Sequence, residues 1–134
     1  RSPRPKGRQR RRQEKGPPGT LRLLASLPMP AFVQDRYLNV LAANPMAQAL
    51  SPGMRPGVNR LLAAFRRLWA RQDVISPAGG PARMHHPEVG DLELYREKLI
   101  VAGTDGQVLV IYHADPGTPS AQALDLLGLT KSLV

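Results

Sequence analysis

The first nineteen residues restrict the folded part of this chain to residues 20–134. The segment RSPRPKGRQRRRQEKGPPG contains no aliphatic or aromatic side chain, and its prolines, glycines and like charges favour a disordered arm. Residues 1–15 hold eight basic residues and one acidic residue, whereas the rest of the chain holds eleven and nine. Most of the net charge of +9 therefore belongs to the arm, and residues 20–134 are expected to form one nearly neutral domain.

The composition excludes several classes of protein. The chain has no cysteine, which rules out disulfides, thiolate chemistry and cysteine-based zinc sites. No apolar run approaches the roughly 18 residues of a membrane span, and no signal peptide is recognisable. We therefore expect a cytoplasmic protein without a membrane contact. Because the chain begins with Arg1, it is also read as a fragment of a longer product.

Turn and cap signals divide the first half of the domain. Thr20 is expected to cap a short helix that Pro28 ends. Residues Ala31–Gln34 and Tyr37–Leu41 are apolar runs around a polar turn and predict a β-hairpin. Asn44 followed by Pro45 is typical of a helix start, and this helix is expected to extend to Leu50.

The second half combines one clear helix with three strands. Asn59 is expected to cap a helix over Arg60–Gln72, whose apolar side chains form a single stripe with three arginines opposite. Strands are expected at Ala82–His86, Leu92–Val101 and Val108–His113, with a hairpin turn at Asp105-Gly106. The last of these strands is apolar on both faces, which is typical of a central strand. Ser120 is expected to cap a closing helix.

This order of elements predicts an α+β fold. A first hairpin, intervening helices, three antiparallel strands and a final helix indicate a PAS-like five-stranded antiparallel sheet with flanking helices. Such an arrangement leaves room for a small-molecule cavity between the sheet and the helices.

Four blocks of sequence resemble the ligand-binding domain of MmyB-like transcription regulators, which are actinobacterial proteins with a helix-turn-helix of the Xre type. The blocks, in the family's order, are PAFVQDRYLNVLAANPMAQAL (30–50), RRLWARQDV (66–74), HPEVGDLEL (86–94) and DGQVLVIYHADPGTPSAQAL (105–124). The resemblance implies an effector domain that binds a fatty-acid-like or other apolar molecule and thereby modulates DNA binding.

The chain departs from the family's pattern in two places. Family members have several helices between the SPGMRPGVNRLL-like and RRLWARQDV-like segments, so the domain over residues 20–134 is expected to be shortened near residues 62–65. The basic arm, residues 1–19, occupies the position of the linker that follows the helix-turn-helix. Contact with DNA is accordingly expected through a helix-turn-helix that lies upstream or on a partner, and homodimer formation is left open.

An arginine at a cavity mouth can hold a ligand carboxylate with bidentate geometry. Arg67 or Arg71 is expected to provide this anchor; the alternative is a solvated basic face with structural ion pairs. The candidate ligand-binding residues are Arg67, Trp69, Arg71, His86 and Tyr112.

The arm and the histidines suggest further functions. Arg8, Arg10, Arg11 and Arg12 are candidates for contact with nucleic-acid phosphates, with a solvated linker as the alternative. His85 and His86 are adjacent on a strand and point to opposite faces, so one surface and one packed histidine are expected instead of a metal site.

Catalytic motifs and phosphate-binding or dinucleotide-binding loops are absent from the sequence. We therefore expect a regulatory ligand-binding domain without enzymatic activity or a cofactor. The alternatives are a nucleic-acid-binding accessory protein that acts through the arm and a degenerate protein-interaction module.

Overall fold

The computed structural model describes residues 16–62 and 79–132 of the chain. The helices there are α1 (Pro18–Ser26), α2 (Pro45–Leu50) and α3 (Pro119–Ser132), and a 3₁₀ turn covers Pro52–Met54. The strands are β1 (Ala31–Gln34), β2 (Val40–Ala43), β3 (Gly80–His86), β4 (Gly90–Ile100) and β5 (Val108–His113). Residues 1–15 of the arm and residues 63–72 of the expected long helix lie outside the described ranges.

The five strands form one antiparallel sheet with the order β2-β1-β5-β4-β3. The prediction that Val108–His113 is a central strand is confirmed, since β5 pairs with β1 on one side and β4 on the other. The expected hairpin between β4 and β5 is present, but its connection covers residues 101–107 and is longer than a turn at Asp105-Gly106 alone. Gly106 has a φ of 81°, which glycine adopts without the steric cost of a side chain.

The sheet separates two apolar clusters. On one face, Phe32, Leu94 and Tyr112 pack with Leu50 of α2 and Leu127 of α3 in the main core. The opposite face carries a smaller cluster, in which Leu24 of α1 packs against Ala31, Val33 and Leu109. The domain therefore has three layers, with α1 on one side of the sheet and α2 and α3 on the other. Within the described ranges, no helix is long and apolar enough to cross a membrane.

Two of the expected helix caps are wrong, the first by three residues and the second by two. The first helix begins at Pro18, with Pro17 and not Thr20 at the N-cap position. The closing helix begins at Pro119, and it is Thr118 whose Oγ1 accepts the N–H of Ala121 at 3.2 Å. The reason is the same in both places: proline is favoured in the first turn because it lacks the N–H that a helix start leaves unpaired.

The second strand begins later than expected, at Val40 instead of Tyr37. The Asp35 carboxylate accepts the N–H groups of Tyr37 (2.8 Å) and Asn39 (2.9 Å), and its other oxygen accepts the Asn39 side-chain amide at 3.0 Å. This bonding extends the turn to Asn39. Leu38 within it has a φ of 69°, a left-handed conformation that costs a non-glycine residue about 1–2 kcal/mol.

Candidate functional site

A cavity of about 490 Å³ opens on the face of the sheet that carries α2 and α3. Its apolar lining comes from three strands, β1, β3 and β5, from the end of α2 and the segment after it, and from two turns. The apolar residues are Phe32, Leu38, Leu50, Pro52, Met54, Pro81, Ala82, Met84, Pro87, Val110 and Tyr112; the polar ones are Gln34, Ser51, Arg60, Arg83, His85, Arg96 and Lys98. This volume and mixture suit a small ligand that has both an apolar and a polar part.

Two aromatic rings lie in the wall of the cavity. Phe32 on β1 and Tyr112 on β5 have ring centroids 6.4 Å apart and planes inclined by 31°. Both side chains are buried, and their strands are hydrogen-bonded neighbours. Because the rings are held by the sheet and the core, they give the cavity a rigid apolar surface.

An arginine guanidinium stacks on each ring. The Arg60 guanidinium lies 4.8 Å from the centroid of Phe32, and the Arg96 guanidinium lies 5.5 Å from the centroid of Tyr112. Arg96 also donates from Nε to the Tyr112 hydroxyl at 3.2 Å. Stacking on an aromatic face fixes a guanidinium while leaving its edge able to donate hydrogen bonds.

Lys98 completes the cationic side of the cavity. It follows Arg96 by two residues on β4, so both side chains project from the same face of the sheet. Partial burial lowers the pKa of the Lys98 ammonium, and the neighbouring guanidiniums of Arg96 and Arg60 lower it further. The lowered pKa reflects the unfavourable energy of three positive charges that share one partly dry site.

The position of Arg60 depends on hydrogen bonds that tie residues 57–60 to β2 and its turn. The backbone N–H of Arg60 donates to the Leu38 carbonyl at 2.7 Å. Asn59 donates from Nδ2 to Asn39 Oδ1 at 2.7 Å, and its own Oδ1 accepts the N–H of Leu62 at 3.0 Å. Asn59 is thus confirmed as a helix cap, and residues 60–62 are helical.

Asn44 connects elements from both faces of the sheet. Its Oδ1 accepts the N–H groups of Ala31 (3.2 Å) and Ala47 (2.9 Å), and Nδ2 donates to the carbonyls of Leu24 (3.3 Å) and Met29 (2.9 Å). One buried amide therefore joins α1, β1 and α2. The sequence predicted only its role as the cap of α2.

The two adjacent histidines have different environments, as expected. His85 is exposed on the sheet edge, where Nδ1 lies 2.8 Å from Asp91 Oδ1. His86 is buried: Nε2 donates to the Ala49 carbonyl at 2.8 Å, and Nδ1 accepts the N–H of Glu88 at 3.0 Å. These partners require the Nε2–H tautomer. No group of side chains in the described residues could hold a metal ion.

The structure brings together only part of the predicted site. Tyr112 lines the cavity, whereas His86 lies outside its lining and packs against α2. Arg67, Trp69 and Arg71 lie outside the described residues, as do Arg8, Arg10, Arg11 and Arg12; their roles stay predictions.

The sequence pattern did not predict the three cations in the cavity wall, Arg60, Arg96 and Lys98. A usable signal is present on β4, because Arg96 and Lys98 continue the alternating positions of the buried Leu92 and Leu94. A charge placed on the core face of a strand is a better indicator of a site than its neighbour on the exposed face.

Comparison with solved structures supports the assignment of a PAS-like fold. The PAS domain of BvgS from Bordetella pertussis superposes with a TM-score of 0.51 at 12% sequence identity, covering 84% of this chain and 96% of that domain. The fold is therefore PAS-like. No curated protein matches the sequence significantly.

The sequence itself matches the family model described as the MmyB-like transcription regulator ligand binding domain. The match has two parts, residues 17–63 and residues 57–127, and together they span most of the chain. The protein belongs to this family of regulatory ligand-binding domains.

Proposed function

We propose that this domain is the effector part of a transcription regulator and that it binds a fatty-acid-like molecule in the cavity between the sheet and the helices. Binding then modulates the DNA affinity of a helix-turn-helix linked to it or carried by a partner. The observation that carries the proposal is the 490 Å³ cavity, whose wall combines apolar side chains with cations on one side. An alkyl chain fits against the former, and a carboxylate fits against the latter.

The layering of the domain supports a structural connection between the cavity and helix α1 on the opposite face of the sheet. Val110 lines the cavity, while the preceding residue on β5, Leu109, packs with Leu24 of α1 on the opposite face. Helix α1 directly follows the basic arm in sequence. A ligand that prefers one arrangement of β5 and α1 shifts the population of the domain by its difference in affinity for the two arrangements.

Thermal unfolding of the full chain with and without decanoate tests ligand binding. A ligand that binds only the folded state, at a hundred times its dissociation constant, adds about 2.7 kcal/mol. For a domain of this size, that stabilisation raises Tm by about 10 °C. An unchanged Tm over the whole range of decanoate concentrations below its micelle concentration would count against the proposal.

A pair of neighbouring substitutions localises the binding site. Val110→Phe fills the cavity and is expected to abolish the decanoate-dependent rise in Tm. Ile111→Phe places the same aromatic ring at the next position of β5, where the side chain packs against the cluster on the opposite face. This variant is expected to retain the decanoate-dependent rise in Tm. Equal loss of the decanoate-dependent rise in Tm in both variants would mean that decanoate does not bind in this cavity.

A second concavity is a less suitable site. It has a volume of about 650 Å³, is more open to solvent, and lies between α3 and Pro28–Met29, with Met46, Leu124 and Leu129 in its wall. The described residues around it provide no lysine or arginine. A carboxylate would therefore lack a cationic partner there.

A further inference from the structure

The hydroxyl group of Tyr112 is a buried hydrogen-bond donor in the cavity wall. Tyr112 lines the cavity, and the residue is only 1% exposed. Its oxygen accepts the Nε–H of Arg96 at 3.2 Å, so the hydroxyl hydrogen has to point away from that nitrogen. None of the described residues accepts this hydrogen. Because a buried O–H without an acceptor is unfavourable, an acceptor atom supplied by a ligand would complete the site.

The chain's other two tyrosines are in a different situation. Tyr37 and Tyr95 are 62% and 37% exposed, so solvent water can accept their hydroxyl hydrogens. Tyr112 is therefore the one tyrosine whose hydroxyl depends on a partner inside the fold.

The fold fixes the position of this hydroxyl from two sides. Tyr112 on the central strand β5 lies directly opposite Arg96 on β4, and the Arg96 guanidinium lies 5.5 Å from the centroid of its ring. The other side of the ring's surroundings is Phe32, with centroids 6.4 Å apart. Donation from a guanidinium to the phenol oxygen also polarises the O–H bond and makes it a stronger donor. The hydroxyl is thus held in place before any ligand binds.

The surroundings of the hydroxyl indicate the chemistry of the acceptor. Val110, two residues earlier on the same face of β5, and Phe32 provide apolar wall beside Tyr112. A single donor next to an apolar wall fits one acceptor oxygen at the end of an alkyl chain. The carbonyl oxygen of a carboxylate, ketone or ester is such an acceptor.

Resting on the proposed ligand-binding function, we propose that the Tyr112 hydroxyl donates a hydrogen bond to a carbonyl oxygen at the head of the bound alkyl chain. This bond selects ligands that carry such an oxygen over apolar molecules that lack an acceptor. Arg96 acts through Tyr112 as a positioning residue.

Binding of three probes to the full chain tests this role of the hydroxyl. Decanoate, below its micelle concentration, carries a charged carbonyl group, 2-decanone carries a neutral one, and butylbenzene has no acceptor oxygen. Tyr112→Phe removes the hydroxyl and keeps the ring. We expect this variant to bind decanoate or 2-decanone, or both, about tenfold more weakly than the wild type, and butylbenzene with less than a twofold change.

Two further variants assign the effect to the hydroxyl. Tyr95→Phe removes a hydroxyl next to Arg96 in sequence but on the opposite face of β4, and it is expected to leave all three affinities unchanged. In an Arg96→Met background, Tyr112→Phe is expected to weaken the same probes further. No further loss in that background would assign the effect to Arg96 and refute the role of the hydroxyl.

The outcomes separate this inference from the proposed function. Loss for decanoate alone identifies a carboxylate as the head group, and loss for both carbonyl probes shows that a neutral carbonyl suffices; either result supports the hydrogen bond. Unchanged affinity of Tyr112→Phe for both carbonyl probes, or an equal loss for butylbenzene, refutes it while the cavity remains a ligand site. If the wild type binds none of the three probes, the proposed function is refuted as well.

Discussion

At the scale of single residues, Asn44 has the largest structural role that the sequence only partly revealed. Its amide makes four hydrogen bonds to backbone groups of α1, β1, α2 and the loop before β1. Asn44→Ala leaves these groups without their partner in a buried site. We expect a loss of about 2–4 kcal/mol in the free energy of unfolding, measured by urea denaturation.

Asn44→Asp separates the accepting half of this side chain from the donating half. The carboxylate can still accept from Ala31 and Ala47, but it cannot donate to the Leu24 and Met29 carbonyls. We expect Asn44→Asp to be destabilised as well, because a buried charge then faces two carbonyl oxygens. Wild-type stability in this variant would show that the two donated bonds contribute nothing.

The charged form of Lys98 destabilises the folded state. Partial burial, Arg96 and Arg60 all disfavour its protonated form. Lys98→Met keeps the length of the aliphatic stem and removes the charge, so we expect an increase in the free energy of unfolding at pH 7. Equal or lower stability of Lys98→Met in urea denaturation would mean that the charge cluster is not repulsive.

The lowered pKa of Lys98 also predicts how the stability difference between Lys98→Met and the wild type changes with pH. The folded-state pKa of Lys98 lies below its usual value of 10.5, so the unfolded chain binds more protons in the interval between the two values. The stability of the wild type relative to Lys98→Met should therefore rise with pH across that interval. The destabilising effect is fully present below the folded-state pKa and is lost near the unfolded one. Urea denaturation of both proteins from pH 7 to 11 measures the difference.

At the scale of elements, the N-termini of the helices were only partly predicted from the sequence. In α1, α2 and α3 a proline occupies the first helical position: Pro18, Pro45 and Pro119. Asn44-Pro45 predicts the start of α2 correctly, whereas at the other two helices the hydroxyl side chains of Thr20 and Ser120, one or two residues after the proline, predict the wrong cap. Ser120 instead accepts the N–H of Glu93 at 2.8 Å, which connects α3 to β4.

The strands were predicted best where their pattern reflects burial on a single sheet. The alternation along β4 and the apolar run of β5 gave their positions and the antiparallel pairing. The start of β2 was missed because the hydrogen bonds of Asp35 and the left-handed Leu38 extend its turn, and no alternation of apolar residues records such bonds. The cavity was expected between sheet and helices, but its cations required knowledge of which face of β4 is covered.

Helix α1 depends on one side chain for its contact with the sheet. Leu24 is 3% exposed, whereas the adjacent Leu23 is 48% exposed. We expect Leu24→Ala to lower the free energy of unfolding by about 2–4 kcal/mol and Leu23→Ala by less than about 1 kcal/mol, both measured by denaturant titration. Similar losses in the two variants would contradict the packing of α1 described above.

At the scale of the whole molecule, the sheet separates the cavity from helix α1. The cavity lies with α2 and α3 on one face, and α1 lies on the other. Adjacent residues of β5 belong to opposite sides, so the strand is in contact with both.

The most direct test of the central claim, that the cavity is the ligand site, is the location of a bound alkyl chain by nuclear Overhauser effects in solution. With decanoate bound to the full chain, we expect contacts from the alkyl protons to the Val110 methyl groups, the Met54 methyl group and the Tyr112 ring. Contacts to Ile111 on the opposite face, or to Leu129 beside α3, with none to Val110, would contradict the account.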